Sequence, residues 1–175
     1  MNKLGITKFD AVCAQLDAAI ELYFVSDNFI AAHTLAAAAH QILTDIVKPK
    51  GDNPPFIKSG YLNRFPNAKH KEIIKFINNA HVFFKHAKTD PHGSLDFNPE
   101  ITELFLIDAC AYFKDSGEQK PKNYKIFLAW AGEINKEKAK ETSLGQFAAD
   151  IVEKMKATNN KKLFWDAFPN LREGP

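Results

Sequence analysis

One stretch, residues Phe29 to Val47 (FIAAHTLAAAAHQILTDIV), constrains the fold of this chain more than any other. At helical periodicity it is apolar nearly all the way round, which is typical of a helix that is buried on several sides. Its run of four alanines favours a helix, because alanine has the highest helix propensity, and such small side chains let neighbouring backbones approach closely. We therefore expect the rest of the chain to pack around this helix.

Two histidines interrupt the apolar surface of this helix. His33 and His40 lie seven residues apart, so at 100° per residue they are offset by only about 20° and share one side of the helix. Phe29, Ala36 and Leu43 continue the same stripe, so both imidazoles are expected among core side chains. A buried imidazole needs hydrogen-bond partners, because an unsatisfied buried polar group costs roughly 1 to 3 kcal/mol. We expect other helices to supply those partners.

The length of the chain predicts one domain. At 175 residues it can bury a full core but is too short for two ordinary domains. We therefore expect a single helical domain over 1–175, with a bundle core at about 6–115 and C-terminal helices at about 121–171 packed on it.

No apolar run is long enough to span a membrane, and the N-terminus lacks the pattern of a signal peptide, so the sequence predicts a cytoplasmic protein with no membrane partner. Cys13 and Cys110 both fall in apolar helical patterns, which favours buried core thiols over a disulfide or a metal pair.

Apolar residues recur at spacings of three and four along most of the chain, and no alternating strand pattern is present. The sequence therefore predicts an all-α fold, a bundle of about five to six helices around residues 29–47. The start of the fourth helix is marked by Asn98 as the cap, Pro99 at the first helical position and Glu100 in the first turn. Beyond the central helix, the predicted helices run from about Phe9 to Phe24, Lys69 to Ala87, Asn98 to Phe113, Pro121 to Ile134 and Ser143 to Met155, and an aromatic tail from Leu163 to Leu171 should dock.

Charge is unevenly distributed although the net charge is only +2. Residues Lys48 to Lys75 hold seven basic side chains against two acidic ones, whereas Asp90 to Glu118 hold seven acidic side chains against one lysine. The first of these segments includes a long loop rich in proline and glycine, with aromatic residues among its lysines. This asymmetry is consistent with steering of a charged partner, with self-association between unlike faces, or with a solvated surface.

One group of residues supports a site hypothesis. It combines His33 and His40 with His81 and His86 of the third helix and Asp108, which lies among apolar residues of the fourth. If these helices pack together, the carboxylate could orient an imidazole, or three groups could approach a metal. Three interpretations stay open: a buried structural polar network, a binding or catalytic site without metal, and a metal site. We predict no cofactor, because the chain has neither zinc-ligand spacing nor a phosphate-binding glycine loop, and a single carboxylate is too few for a di-iron site.

Two sequence blocks carry a resemblance. AAHTLAAAAH and FFKHA, within residues Leu16 to Phe113, resemble an uncharacterised bacterial family with no established function. More distantly, a helical hairpin followed by a histidine near the end of a third helix is similar to HEPN domains, helical bundles arranged up and down that include RNA-cleaving toxins, inactive relatives and nucleotide-binding modules. Active members carry an arginine, four to six residues, and then a histidine. Here His86 stands at the histidine and either His81 or Asn79 at the arginine, so the arginine is missing, and His40 stands where many members have a glutamate.

The resemblance implies a homodimer that acts as a binding or interaction module. It also implies an alternative, a ribonuclease or other phosphodiester-acting enzyme with RNA or a nucleotide as partner, in which His86 is the acid or base and Lys85 holds phosphate. A third interpretation is a metal-binding protein that uses His33, His40 and Asp108. The candidate residues are His86, His81 and Lys85 for catalysis and His33, His40, Asn79 and Asp108 for binding.

Overall fold

The computed structural model describes residues 3–47, 70–88, 90–134, 153, 156–158 and 160–172. Every regular element in these residues is helical, which confirms the predicted all-α bundle. The predicted loop after Val47, and most of the predicted helix from Ser143 to Met155, lie outside the described residues. The α-helices are α1 (Lys8–Glu21), α2 (Phe29–Val47), α3 (His70–Lys85), α4 (Glu100–Asp115), α5 (Tyr124–Ile134) and α6 (Lys162–Ala167); a π-helix (Leu22–Ser26) follows α1 and a 3-10 turn (Pro169–Leu171) follows α6. Within these residues, no helix combines the length and apolar character that crossing a membrane requires.

Helix α2 lies at the centre of the bundle. It packs most extensively against α1 and α4, and it also contacts α3 and the π-helix. Only Ile30, Gln41 and Asp45 of its 19 residues are exposed. Ala32 and Ala36 are fully buried, which places the small side chains where neighbouring helices come close. The prediction that the chain packs around this helix is therefore confirmed.

Helix α1 is fixed at its start by a capping box. Thr7 Oγ1 accepts a hydrogen bond from the Asp10 backbone N–H at 3.1 Å, and Asp10 Oδ2 accepts one from the Thr7 N–H at 2.8 Å. These bonds satisfy backbone donors that a helix start leaves without partners. From this start, Val12, Leu16 and Ile20 recur every four residues and are fully buried against the core.

The connection between α1 and α2 differs from the sequence-based expectation. Tyr23 and Phe24 were expected to continue helix one, but the backbone widens there into the π-helix, which ends at Asp27 in a left-handed conformation (φ 49°). Both rings are buried side by side, with centroids 5.4 Å apart and nearly perpendicular planes. Asn28 then caps α2, since its Oδ1 accepts a hydrogen bond from the Ala31 N–H at 3.2 Å.

Local signals placed the start of α4 correctly to within one residue. Asn98 Oδ1 accepts a hydrogen bond from the Glu100 N–H at 2.9 Å, as its predicted capping role requires, although the helix begins at Glu100 rather than at Pro99.

The C-terminal aromatic segment docks as expected. Phe164 and Trp165 of α6 pack against Phe24, with ring centroids 6.2 and 5.8 Å from it.

Candidate functional site

A buried hydrogen-bonded pair joins the centre of α2 to the centre of α4. His40 Nε2 lies 2.5 Å from Asp108 Oδ2, and the two side chains are 2% and 1% exposed. The Phe105 ring packs against the imidazole nearly at a right angle, with centroids 5.2 Å apart. One turn along α2, Thr44 Oγ1 donates a hydrogen bond to the His40 backbone carbonyl at 2.8 Å. A carboxyl group this deep in the core is tolerated because a partner with good geometry meets it.

His33 lies two turns earlier on α2 in a more apolar environment. Its Nδ1 and Thr102 Oγ1 of α4 form a hydrogen bond of 3.2 Å, and its Nε2 has no hydrogen-bond partner among the described residues. Burial, and to a smaller extent the nearby His81, lowers the pKa of His33 to about 4, so the ring is neutral at pH 7. Three phenylalanine rings meet this imidazole edge to face: Phe84, Phe97 and Phe105.

The outer candidates lie on and just after the last turns of α3. Lys85 Nζ is 3.0 Å from His81 Nε2, one helical turn away. His81 is half-buried, whereas Asn79, Lys85 and His86 are exposed. The His86 backbone N–H donates to the Val82 carbonyl at 3.1 Å, directly after the last residue of α3.

The structure therefore separates the predicted site residues into two groups. An inner group, His33, His40 and Asp108, is closed off from solvent between α2 and α4. The outer group, Asn79, His81, Lys85 and His86, lies on α3 and its end, and only His81 comes close enough to His33 to influence its charge. Within the described residues, no three histidine, cysteine, aspartate or glutamate side chains are arranged to hold a metal ion.

Sequence reasoning missed a second polar cluster, which lies at the first turn of α4. The Tyr23 hydroxyl donates a hydrogen bond to Glu103 Oε1. Lys161 Nζ lies 3.8 Å from the same carboxylate oxygen, and it sits over the faces of the Tyr23 and Phe29 rings at 3.7 and 4.9 Å from their centroids. Burial raises the pKa of Glu103 and lowers that of Lys161. No spacing in the sequence indicates this cluster, because its members come from four separate segments.

Comparisons with protein-family models, with curated proteins and with solved structures find no match to this chain. The inner group offers a hydrogen-bonded histidine and carboxyl group without access from solvent, and the outer group offers nitrogen atoms on a more exposed surface. These two environments favour different functions.

Proposed function

We propose that this protein is a cytoplasmic, dimeric binding or interaction module with a HEPN-like arrangement, rather than a catalyst. The observation that carries this proposal is the burial of the His40 and Asp108 pair at 2% and 1% exposure. A general acid or base must come within hydrogen-bond distance of its substrate. A pair that the core covers on all sides is better suited to fixing how α2 and α4 pack than to chemistry.

The surface that best fits a binding role is the exposed side of α3. Phe76 and Val82 are 66% and 51% exposed, and the exposed Asn79 lies midway between them. Exposed large apolar side chains on one helix are typical of protein interaction sites. We call the surface formed by Phe76, Asn79 and Val82 the α3 face.

Charge around the α3 face favours a second copy of the same chain as the partner. Exposed lysines, Lys71, Lys75 and Lys85, lie on α3 itself and outnumber its exposed Glu72. The segment that follows α3 exposes carboxylates at Asp90 and Asp96, and the first residue of α4, Glu100, exposes another. In a twofold dimer the basic surface of each protomer could meet the acidic segment of the other, so attraction would act twice around an apolar centre.

The oligomeric state tests this proposal. Light scattering after size exclusion should give a dimer mass for the wild-type protein and a monomer mass for Phe76→Glu, with the same helical circular dichroism. The matched control is Leu4→Glu, since Leu4 is 83% exposed and lies outside α3; this variant should remain dimeric. A wild-type protein that stays monomeric at every concentration, or equal effects of the two variants, would refute the α3 face as the interface.

The second candidate function is a phosphodiester-acting enzyme, and the outer group favours it. Lys85 and His81 are paired at 3.0 Å, and His86 follows on the same exposed surface. An imidazole can transfer a proton and an ammonium group can hold phosphate, which are the two roles that RNA cleavage requires.

Incubation with mixed RNA separates this enzyme from the interaction module. The module predicts no cleavage above a buffer control. Cleavage that His86→Ala abolishes in a folded protein, and that His92→Ala at another exposed histidine leaves intact, would establish the enzyme instead. Gel-shift titration of wild-type protein and Lys85→Ala would show whether the outer group binds RNA without cutting it.

A further inference from the structure

The cluster around Lys161 has the form of an occupied cation site. Two aromatic faces and one carboxylate meet a single ammonium group, at 3.7 Å from the Tyr23 centroid, 4.9 Å from the Phe29 centroid and 3.8 Å from Glu103 Oε1. Ring faces carry negative electrostatic potential, and proteins use such arrangements to bind organic ammonium ligands. The Lys161 side chain is only 19% exposed, so its ammonium group is largely removed from water.

The walls of this site are fixed without help from Lys161. The Tyr23 ring is fully buried and meets four neighbouring rings edge-on: Phe24, Phe29, Phe127 and Trp130. The Tyr23 hydroxyl in turn holds the Glu103 carboxylate by a hydrogen bond. A site whose walls are held by the core should keep its shape when the occupant leaves, which lowers the cost of binding a replacement.

The surrounding charge also selects for a cation. Glu103, Asp27 and Glu100 each favour the charged form of the Lys161 ammonium group, which opposes the effect of its burial. Each of these carboxylates therefore attracts a cation in this position. An anion or a neutral amide placed there would lose this attraction.

We propose that Tyr23, Phe29 and Glu103 form a binding site for a small primary alkylammonium ion, and that Lys161 of the same chain occupies this site in the resting protein. The proposal is independent of the proposed function, since it concerns neither histidine group. Lys161 directly precedes α6, and Phe164 and Trp165 of α6 dock on Phe24 beside the site. Occupation by Lys161 is therefore linked to the docking of α6. An external amine competes with the Lys161 side chain, which directly precedes this helix.

The direct test removes the occupant and supplies it from solution. Lys161→Ala deletes the atoms that n-propylammonium contains, so this ion is the probe. Binding is followed by the indole signals of the two tryptophans in nuclear magnetic resonance spectra and by the melting temperature. We expect Lys161→Ala to bind n-propylammonium on the order of tenfold more tightly than 1-propanol, the ratio that a desolvated cation–π contact provides. Wild-type protein, whose site is filled, should bind the ion more weakly than the variant does.

Two further variants make the test specific. Lys162→Ala is the matched control, because Lys162 Nζ pairs with Asp166 at 2.5 Å on a half-exposed surface. It should bind n-propylammonium no more tightly than the wild-type protein does. Adding Glu103→Gln to Lys161→Ala should remove the preference for the ion over the alcohol. Equal binding of the ion and the alcohol by Lys161→Ala, or equal binding of the ion by this variant and the wild type, would overturn the proposal.

A variant that keeps the aliphatic stem covers the case in which Lys161→Ala does not fold. Lys161→Met removes the ammonium group and keeps an unbranched apolar side chain, so its melting temperature should fall below that of Lys162→Met. With Glu103→Gln already present, Lys161→Met should lower the melting temperature less than it does in the wild-type background. If Lys161→Met melts at the wild-type temperature, the site does not recognise an ammonium ion and the proposal fails.

Discussion

Replacing His40 alone should destabilise the protein much more than replacing His40 and Asp108 together. In His40→Leu the Asp108 carboxyl stays in the core, at 1% exposure, without the imidazole that lies 2.5 Å from it. Removing one partner of a buried pair costs about 3 to 5 kcal/mol, because the other group loses an interaction that its burial requires. A domain has only about 5 to 15 kcal/mol of total stability, so this loss is a large part of it. Asp108→Val should cost a similar amount.

The double variant His40→Leu and Asp108→Val removes both polar groups and leaves apolar side chains in the same space. We expect its free energy of unfolding to lie within about 2 kcal/mol of the wild-type value, since apolar replacement of a whole buried pair is often neutral or stabilising. Urea denaturation followed by circular dichroism measures all four proteins, and an unchanged denaturant slope shows that only stability has changed. The control is Gln41→Leu, which breaks an exposed bond of 2.9 Å to Asp45 and should cost less than about 0.5 kcal/mol.

The coupling between the two sites is the quantity that decides this prediction. A loss in the double variant equal to the sum of the two single losses would show that His40 and Asp108 act independently. Single losses below about 1 kcal/mol would show that the pair is not buried as described. Either result would refute the reasoning from the buried contact.

Three further predictions concern stability and reactivity. The pKa of His33 is lowered from 6.5 to about 4, so the folded protein binds a proton at His33 less readily than the unfolded chain does. The free energy of unfolding should therefore fall by at most about 3 kcal/mol as pH drops from about 6.5 to about 4. Urea titrations across that range check this, and a slope that His33→Leu leaves unchanged would contradict it. Thr7→Ala removes the capping hydroxyl of α1 and should cost about 1 kcal/mol in a thermal melt, whereas no change would mean that the cap adds nothing. Burial raises the pKa of Cys13 to about 11 and raises that of Cys110 as well. Iodoacetamide at pH 8 should therefore modify neither thiol in native protein and both thiols in urea, as measured by mass spectrometry. Rapid labelling of the native protein would disprove their burial.

Local sequence signals predicted most of the fold. The apolar surface of α2 was sufficient to place it at the centre, and Asn98 identified the start of α4 because caps and helical periodicity depend on residues only a few positions apart. The π-helix could not be predicted in this way. Tyr23 and Phe24 fit an α-helical pattern equally well, so their spacing does not indicate the wider turn in which both buried rings lie.

The candidate site was less accessible to sequence reasoning because its geometry depends on how distant helices pack. The apolar neighbours of Asp108 indicated that it would be buried, but the register between α2 and α4 decides that it meets His40 and that His33 meets Thr102. Tyr23, Glu103 and Lys161 are remote in sequence, and each has an ordinary local explanation, so their meeting appears only in the folded chain.

Hydrogen–deuterium exchange at the imidazole C2 position tests most directly the claim that the inner histidines are closed off while the outer ones are open. We expect His33 and His40 to exchange much more slowly than His86 and His92 in native protein, and all four to exchange at similar rates in urea. Native exchange at His40 as fast as at His86 would contradict the account, because solvent would then reach the pair that we describe as sealed between α2 and α4.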